Sequence, residues 1–225
     1  MKKIFIPVTK LKDWKHLIAE PQKHWKKGTS ARALAYCWQE SDGMPKDVEA
    51  VLLQVPEFDG LEPLLVIPEH HVSLPGRKQP TQNDCWVLAR TKGDLISIAV
   101  EGKVSEPFGP TIDEWMKDAS EGKKERLSYL CSLIGLDVSL LGKIRYDLLH
   151  RTASAIIEAK RFHAKYAVML VHSFSQTAEG FDDYNKFVEL SGVTAETNKI
   201  VFGGKYLDVH LYLAWVSGNK RYLTR

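Results

Sequence analysis

A long helical pattern that runs directly into an apolar strand pattern constrains the fold of this chain more than any other feature. Between residues 144 and 162 apolar and small side chains recur every four positions, which is typical of one packed face of a helix. That face consists of Leu148, Leu149, Thr152, Ala153, Ile156 and Ile157. Residues 164–174 then form an apolar run of strand length. A helix followed by a buried strand predicts a layered α/β structure.

Shorter patterns supply the other predicted elements. Helices are predicted at residues 10–27, 31–40, 110–119, 123–134 and 182–190, and β structure at residues 50–55, 64–67, 84–90, 95–100 and 205–216. A four-residue turn that contains Gly93 joins the strands 84–90 and 95–100, which indicates a β-hairpin. This order predicts a mixed central sheet flanked by helices, in one domain over residues 1–225.

Composition excludes several classes of protein. The hydrophobic fraction of 44% and charged fraction of 26% are ordinary for a globular protein. No apolar run approaches the roughly 18 residues of a membrane-spanning helix, so no membrane partner is expected. The three cysteines are widely spaced and odd in number, which argues against a disulfide scaffold or a zinc ribbon. The N-terminus lacks the apolar core of a signal peptide. We therefore expect a cytoplasmic protein.

The net charge of +3 conceals a basic N-terminus. The first 27 residues contain eight lysines, against only Asp13 and Glu20. A basic arm of this kind can contact the phosphate backbone of a nucleic acid. The alternative is a lysine-rich surface helix that is simply solvated.

Three residues of the predicted hairpin carry a specific chemistry. Asp84 begins the first strand and Glu101 ends the second, so an antiparallel hairpin would bring them to the same end of the sheet. Lys103 lies two residues beyond Glu101 and would point to the same face. Two carboxylates suit Mg²⁺, and a nearby ammonium can orient a water or stabilise charge on a phosphodiester. The alternative is three solvated residues at strand ends.

The set Asp84, Glu101 and Lys103 resembles the signature of the PD-(D/E)xK nuclease superfamily, an acid followed after a hairpin by a (D/E)xK triplet. The predicted order over residues 30–175 is similar to the αβββαβ core of that superfamily, a restriction-endonuclease-like fold. The sequence around the motif is similar to a group of bacterial proteins of this type. Asn83 stands where the superfamily signature has proline. The basic helix 10–27 and the C-terminal helix and β extension 176–225 lie outside the resemblance.

The resemblance implies roles for residues of the site. Asp84 and Glu101 would be ligands of Mg²⁺ or Mn²⁺, and Lys103 would be the catalytic lysine. A further acid from the first helix would join the metal ligands, and Glu40 is the best match, with Glu49 as the alternative.

Other polar residues are candidates for substrate contacts. A residue of the later helix would face the site, and nucleic acid would contact basic side chains of that helix and of the loop before the hairpin. The candidates are Arg77, Lys78, Gln82, Arg145, His150 and Arg151.

Together these features predict a Mg²⁺-dependent nuclease that cleaves nucleic acid, with DNA as the expected substrate. Symmetric cleavage of a duplex would need a homodimer. One alternative is a non-catalytic nucleic-acid-binding or protein-interaction module on the same fold, in a defence or mobile-element system. Another is an unrelated α/β binding protein. The sequence leaves DNA versus RNA open.

Overall fold

The computed structural model describes residues 7–41, 43–76 and 79–225. Its helices are α1 (Leu11–Leu17), α2 (Pro21–His24), α3 (Ser30–Glu40), α4 (Lys46–Leu52), α5 (Ile112–Met116), α6 (Glu121–Ile134), α7 (Tyr146–Arg161) and α8 (Phe181–Glu189). Its strands are β1 (Glu62–Val72), β2 (Thr81–Arg90), β3 (Leu95–Lys103), β4 (Tyr166–Ser173), β5 (Lys199–Tyr206) and β6 (Val209–Ser217). Short 3-10 helices lie at Pro56–Phe58, Val138–Leu140 and Lys220–Thr224.

The six strands form one mixed sheet in the order β1-β2-β3-β4-β6-β5. The first three strands are antiparallel neighbours, and β3, β4 and β6 run parallel to one another. The β5 strand closes the far edge, antiparallel to β6. Helices α5, α6 and α7 make the crossover that a parallel β3–β4 pair requires. The predicted mixed sheet flanked by helices is confirmed.

Side chains of alternate strand residues feed two hydrophobic cores, one on each face of the sheet. Met169 of β4 belongs to the core beneath α5–α8, whereas Leu170 belongs to the core beneath α1, α3 and α4. Every residue of β4 is buried, as predicted for this run. Burying a large aliphatic side chain of this kind stabilises the fold by roughly 1.5–3 kcal/mol.

Local signals in the sequence fix several helix ends. Thr111 caps α5 by accepting a hydrogen bond from the Glu114 N–H at 3.3 Å. Ser120 caps α6 in the same way, and Gly135 ends that helix in the left-handed conformation at φ 65°. These short polar caps satisfy backbone groups that the helices leave unpaired.

Two sequence predictions about helices and strands were wrong in detail. Residues 50–55, predicted as a strand from their valines and leucines, lie in α4 and the turn that follows it. The buried side chains of α4 are Val48, Val51 and Leu52, which share one helical face, so tertiary packing overrides their β-propensity. The single helix predicted over residues 10–27 is two short helices, and Pro21 begins the second.

The structure also bears on membrane-spanning helices and on the state of the cysteines. Within the described ranges, no helix combines the length and apolarity needed to cross a membrane. Cys37, Cys85 and Cys131 are unbridged and buried, as expected for cysteines that pack as small hydrophobic residues.

Residues 75, 76 and 79, which lie between β1 and β2, contact α6. Arg126 of α6 donates hydrogen bonds to the carbonyl oxygens of Pro75 at 3.0 Å and Gln79 at 2.9 Å. Beside them the backbones of Gly76 and Gly122 are in close contact. The contact leaves no room for a side chain, since a Cβ added to Gly122 would lie 1.9 Å from the Gly76 oxygen. The start of β2, where the hairpin enters the candidate site, therefore depends on this contact.

We expect the substitution Gly122→Ala to destabilise the protein, although alanine normally favours a helix over glycine by about 1 kcal/mol. The added methyl group would collide with backbone that cannot rotate away, and such overpacking costs roughly 1–3 kcal/mol. Urea denaturation would measure the change in the free energy of unfolding. Gly93→Ala is the matched control, because a Cβ there meets no atom within 4 Å. A more stable Gly122→Ala protein would contradict the close contact.

Candidate active site at the end of strands β2 and β3

The hairpin brings Asp84 to the triplet that begins with Glu101. The β2–β3 ladder pairs Cys85 with Val100, so Asp84 and Glu101 are the next residues beyond its last rung. Asp84 Oδ2 accepts a hydrogen bond from the backbone N–H of Gly102 at 2.8 Å. A Cβ on Gly102 would lie 3.3 Å from that oxygen, so glycine lets the carboxylate approach the strand.

Glu101 is a buried carboxylate shared by two cations. One oxygen, Oε1, lies 2.9 Å from Lys103 Nζ, and the other accepts a short hydrogen bond from Arg151 Nε of α7. Glu101 is only 4% exposed and Lys103 only 5%, so water solvates neither charge well. Each charge is stabilised mainly by its ion-pair partner. Lys103 Nζ also donates to the Pro107 carbonyl at 3.3 Å and lies 4.6 Å from the ring centroid of Phe108.

The first turns of α7 supply the other side of the site. Thr81 Oγ1, at the start of β2, accepts a hydrogen bond from Arg151 at 3.0 Å and contacts His150 Nδ1 at 2.5 Å. The other ring nitrogen of His150 lies 3.1 Å from Asp147 Oδ1. The chain Asp147–His150–Thr81–Arg151 therefore connects α7 to β2 and leads to Glu101.

Glu69 is a member of the site that sequence reasoning missed. It lies on β1 opposite Asp84, between the paired positions Pro68–Cys85 and His70–Asn83. The Gln82 side-chain amide donates a short hydrogen bond to Glu69. Glu69 has a left-handed backbone, with φ 50°, which is uncommon within a strand. No sequence pattern marks such a residue, because its neighbours carry an ordinary strand signal.

Burial and neighbouring charges divide the acids into two groups. Burial raises the pKa of Glu69 to about 7 and, together with the charge of Glu101, raises the pKa of Asp84 well above its usual value. Burial also opposes ionisation of Glu101, but Arg151 and Lys103 outweigh it and lower the pKa of that carboxyl. His150 and Arg151 likewise overcome burial and lower the pKa of Asp147 to about 2.

The basic groups respond in the opposite sense. Burial works against their charged forms, yet Glu101 and Asp84 raise the pKa values of both Lys103 and Arg151. Burial and the neighbouring Arg151 lower the pKa of His150, so its imidazole is neutral at pH 7. Near neutral pH the site thus contains two firmly charged cations and two firmly charged carboxylates.

The remaining predicted residues lie elsewhere or cannot be described. Glu40 contacts Arg225 at 3.6 Å and Arg221 at 3.9 Å, near the C-terminal residues. Arg145 binds Asp183 of α8 at 2.7 Å. The alternative acid, Glu49, is exposed on α4. Arg77 and Lys78 lie outside the described residues. The structure thus brings together six predicted residues: Asp84, Glu101, Lys103, Gln82, His150 and Arg151.

A second group of ligand-type side chains lies beneath α3. Among residues 7–41, 43–76 and 79–225, Cys37, Asp47 and His172 alone form a group of three potential metal ligands whose ligand atoms lie within 4.8 Å of one another. Trp38 Nε1 donates to His172 Nδ1 at 3.2 Å, which leaves the proton of a neutral imidazole on Nε2, facing Asp47 at 3.6 Å. Burial raises the pKa of Cys37 to about 12, so its thiol is protonated.

Glu69 makes the stability of the protein depend on pH. Its pKa is about 7 in the folded state and near 4.5 when unfolded, so the folded state binds more protons between those values. The free energy of unfolding therefore falls as pH rises from about 4.5 to 7, by up to about 3 kcal/mol. We expect Glu69→Gln to remove this fall, as measured by urea denaturation at pH 5, 6, 7 and 8. Glu121→Gln, an exposed control, should keep the wild-type profile, and an unchanged profile in Glu69→Gln would disprove the shift.

Comparison with known families gives one match. The family DUF6946, described as a domain of unknown function, matches residues 7–220, so the chain belongs to that family. No curated protein and no solved structure shows a significant match to the chain.

Proposed function

We propose that this member of the DUF6946 family is a metal-dependent nuclease, with Asp84 and Glu101 as ligands of Mg²⁺ and Lys103 as the catalytic lysine. The observation that carries the proposal is the hairpin end itself. There the Asp84 carboxylate accepts a hydrogen bond from the backbone N–H of Gly102 at 2.8 Å. The residues on either side of Gly102 form an ion pair, with Lys103 Nζ 2.9 Å from Glu101 Oε1. An acid beside a Glu-x-Lys triplet is the arrangement expected from the superfamily resemblance.

The balance of charge supports a divalent cation at this point. Four carboxylates, those of Glu69, Asp84, Glu101 and Asp147, interact with only two cationic side chains. Glu69 and Asp84 have raised pKa values, which favour their protonated forms, and a bound Mg²⁺ would neutralise the two negative charges that appear when both ionise. Among the described contacts, Asp84 Oδ1 has no hydrogen bond and is free to act as a ligand. Carboxylate oxygens are the ligands that Mg²⁺ prefers.

Each residue has a defined chemical task in this proposal. A bound Mg²⁺ would lower the pKa of a water and stabilise charge on the phosphodiester. Lys103 keeps its proton beside Glu101, so its ammonium would orient the attacking water and stabilise negative charge on the phosphate. Arg151 would hold Glu101 in place while that carboxylate exchanges one contact for the metal.

The order of elements also supports a restriction-endonuclease-like core. Helix α3, strands β1, β2 and β3, helix α7 and strand β4 follow one another in the order αβββαβ, with α4, α5 and α6 as additional helices. Glu101 and Lys103 lie at the carboxyl end of β3 beside the parallel strand β4, and this end of parallel strands is where α/β proteins commonly bind ligands.

Cleavage assays test the proposal directly. We expect the protein to cut DNA in the presence of Mg²⁺ or Mn²⁺, and Glu101→Gln and Lys103→Met each to lower the rate at least about 100-fold, since each removes a group required in the transition state. A gel assay with plasmid and single-stranded DNA would measure the rates, with RNA as a third substrate.

The exposed pair Glu121 and Lys124, 2.8 Å apart on α6, provides matched controls. Glu121→Gln and Lys124→Met should cut at the wild-type rate. Because Glu101→Gln and Lys103→Met each leave a buried charge unpaired, circular dichroism must show that the variants are folded. Wild-type protein that cuts none of the three substrates with either metal would contradict the proposal.

A second candidate function is favoured by the ion pairs of Glu101. Both of its oxygens are already occupied, by Lys103 and Arg151, and the cluster is almost closed to solvent. Such a self-neutralised network can simply fasten α7 to the sheet. The protein would then be a non-catalytic module on a nuclease-like fold that binds nucleic acid or another protein.

Metal binding separates the two candidates. The nuclease proposal predicts that titration calorimetry detects one Mn²⁺ per chain and that Asp84→Asn abolishes this binding, because the substitution removes a ligand charge. Asp182→Asn, on the first turn of α8, is the control and should bind Mn²⁺ like wild type. A wild-type protein that binds nucleic acid but no Mn²⁺ would support the non-catalytic module instead.

A further inference from the structure

Arginines of α3 and of the C-terminal residues meet at one surface, which we call the basic face. Its members are Arg32, Arg221 and Arg225, together with the exposed Lys23, Lys26, Lys27 and Lys220, which lie within two residues of Trp25 or Arg221 in the sequence. Arg32 Nε on α3 donates a hydrogen bond to the backbone oxygen of Arg225 at 2.8 Å, so α3 and residue 225 meet here. The side chains of Lys23, Arg221 and Arg225 are 72%, 59% and 53% exposed.

Aromatic rings lie among these cations. Trp25 and Tyr36 are stacked, with ring centroids 6.4 Å apart and an interplanar angle of 29°. The guanidinium group of Arg32 lies 5.8 Å from the Trp25 ring centroid and 5.2 Å from that of Tyr36. All three side chains are partly exposed. Planar groups of this kind can stack on nucleic-acid bases, with little preference for sequence.

Two of the arginines already converge on one anion. The carboxylate of Glu40 lies 3.6 Å from Arg225 and 3.9 Å from Arg221. Two guanidinium groups around one anionic group are suited to a phosphate as well as to a carboxylate. Glu40 therefore occupies the position that a backbone phosphate could take.

The basic face lies on the outer side of α3, whereas Glu101 and Lys103 point to the other face of the sheet, towards α7. Leu34 of α3 faces the sheet, 3.4 Å from the position a Cβ would have on Gly102. Arg32 and Tyr36, four residues apart, lie on the outer side of the same helix. An α-helix with its side chains is about 10–12 Å across, and the sheet adds to this separation, so a bound strand would reach Glu101 and Lys103 by passing around the end of the sheet.

We infer that the basic face binds a single-stranded segment of nucleic acid through its backbone phosphates, with bases stacked on Trp25, Arg32 and Tyr36. This inference rests on the proposed function for the class of ligand, and it assigns the surface that holds the substrate outside the cleavage site. Seven cations supply the charge complementarity, and the aromatic rings favour unpaired bases over duplex.

Binding would be measured by fluorescence anisotropy with a labelled single-stranded oligonucleotide, in EDTA so that no cleavage occurs. The double variant Arg221→Ala/Arg225→Ala should bind about tenfold more weakly than wild type at 100 mM salt. The slope of log K against log salt should shrink by about 1.4, since each lost phosphate contact contributes about 0.7 for single strands. The control Lys117→Ala/Lys160→Ala removes the same charge from the opposite layer, the one formed by α5–α8 on the other face of the sheet, and should bind like wild type.

A substitution that removes a negative charge from the basic face should have the opposite effect on binding. Glu40→Gln frees the two arginines from a competing carboxylate and should tighten binding about threefold or more, whereas Glu121→Gln on the opposite layer should not. Arg221 also contacts Tyr222, so its loss could destabilise the protein. If the melting temperature of the double variant is lowered, binding is measured instead with Lys26→Ala/Lys27→Ala, which alters only exposed turn residues.

The outcomes separate this inference from the proposed function. If the basic-face variants and the control variants bind the oligonucleotide equally weakly, or if neither binds more weakly than wild type, the inference is overturned even if the wild-type protein cuts DNA. Tighter binding of a duplex than of a single strand overturns it as well. Selective weakening in the face variants supports it, even if no cleavage is detected and the proposed nuclease activity fails.

Discussion

The buried carboxylate of Glu101 is the group on which this end of the molecule depends. It lies two residues before the end of strand β3, accepts a hydrogen bond from Arg151 of α7, and is 2.9 Å from Lys103. A single buried charge would be costly, but two cations on opposite sides keep it ionised. The position of α7 against the sheet, the orientation of Lys103 and the charge of the whole cluster follow from that one arrangement.

The layered fold and the core of the candidate site could be predicted from sequence because their signals are local. The four-residue repeat over residues 144–162 and the apolar run after it correspond to α7 and β4. The hairpin turn around Gly93 fixes the register that brings Asp84 to the Glu101 triplet. Periodicity and turn chemistry are properties of neighbouring residues, so a single sequence contains them.

The parts that could not be predicted depend on contacts between distant segments. Residues 50–55 have strand composition, but packing against β5 and β6 places them in and just after α4. Glu69 joins the site because β1 pairs with β2 and its backbone turns to φ 50°, and neither fact is visible in its neighbours. Glu40 was the best sequence match for a further acid, yet it pairs with Arg225, which is 185 residues away in sequence.

The sheet order has a consequence for how the protein is made. Strand β4 lies between β3 and β6, and β6 emerges from the ribosome only after α8 and β5 have been synthesised. Until then one edge of a strand whose residues are all buried in the folded protein has no partner, and such edges readily pair with other chains. Parallel pairing across long sequence separations is also slow to form. The nascent chain therefore passes through a stage in which the edge of β4 that later pairs with β6 is open.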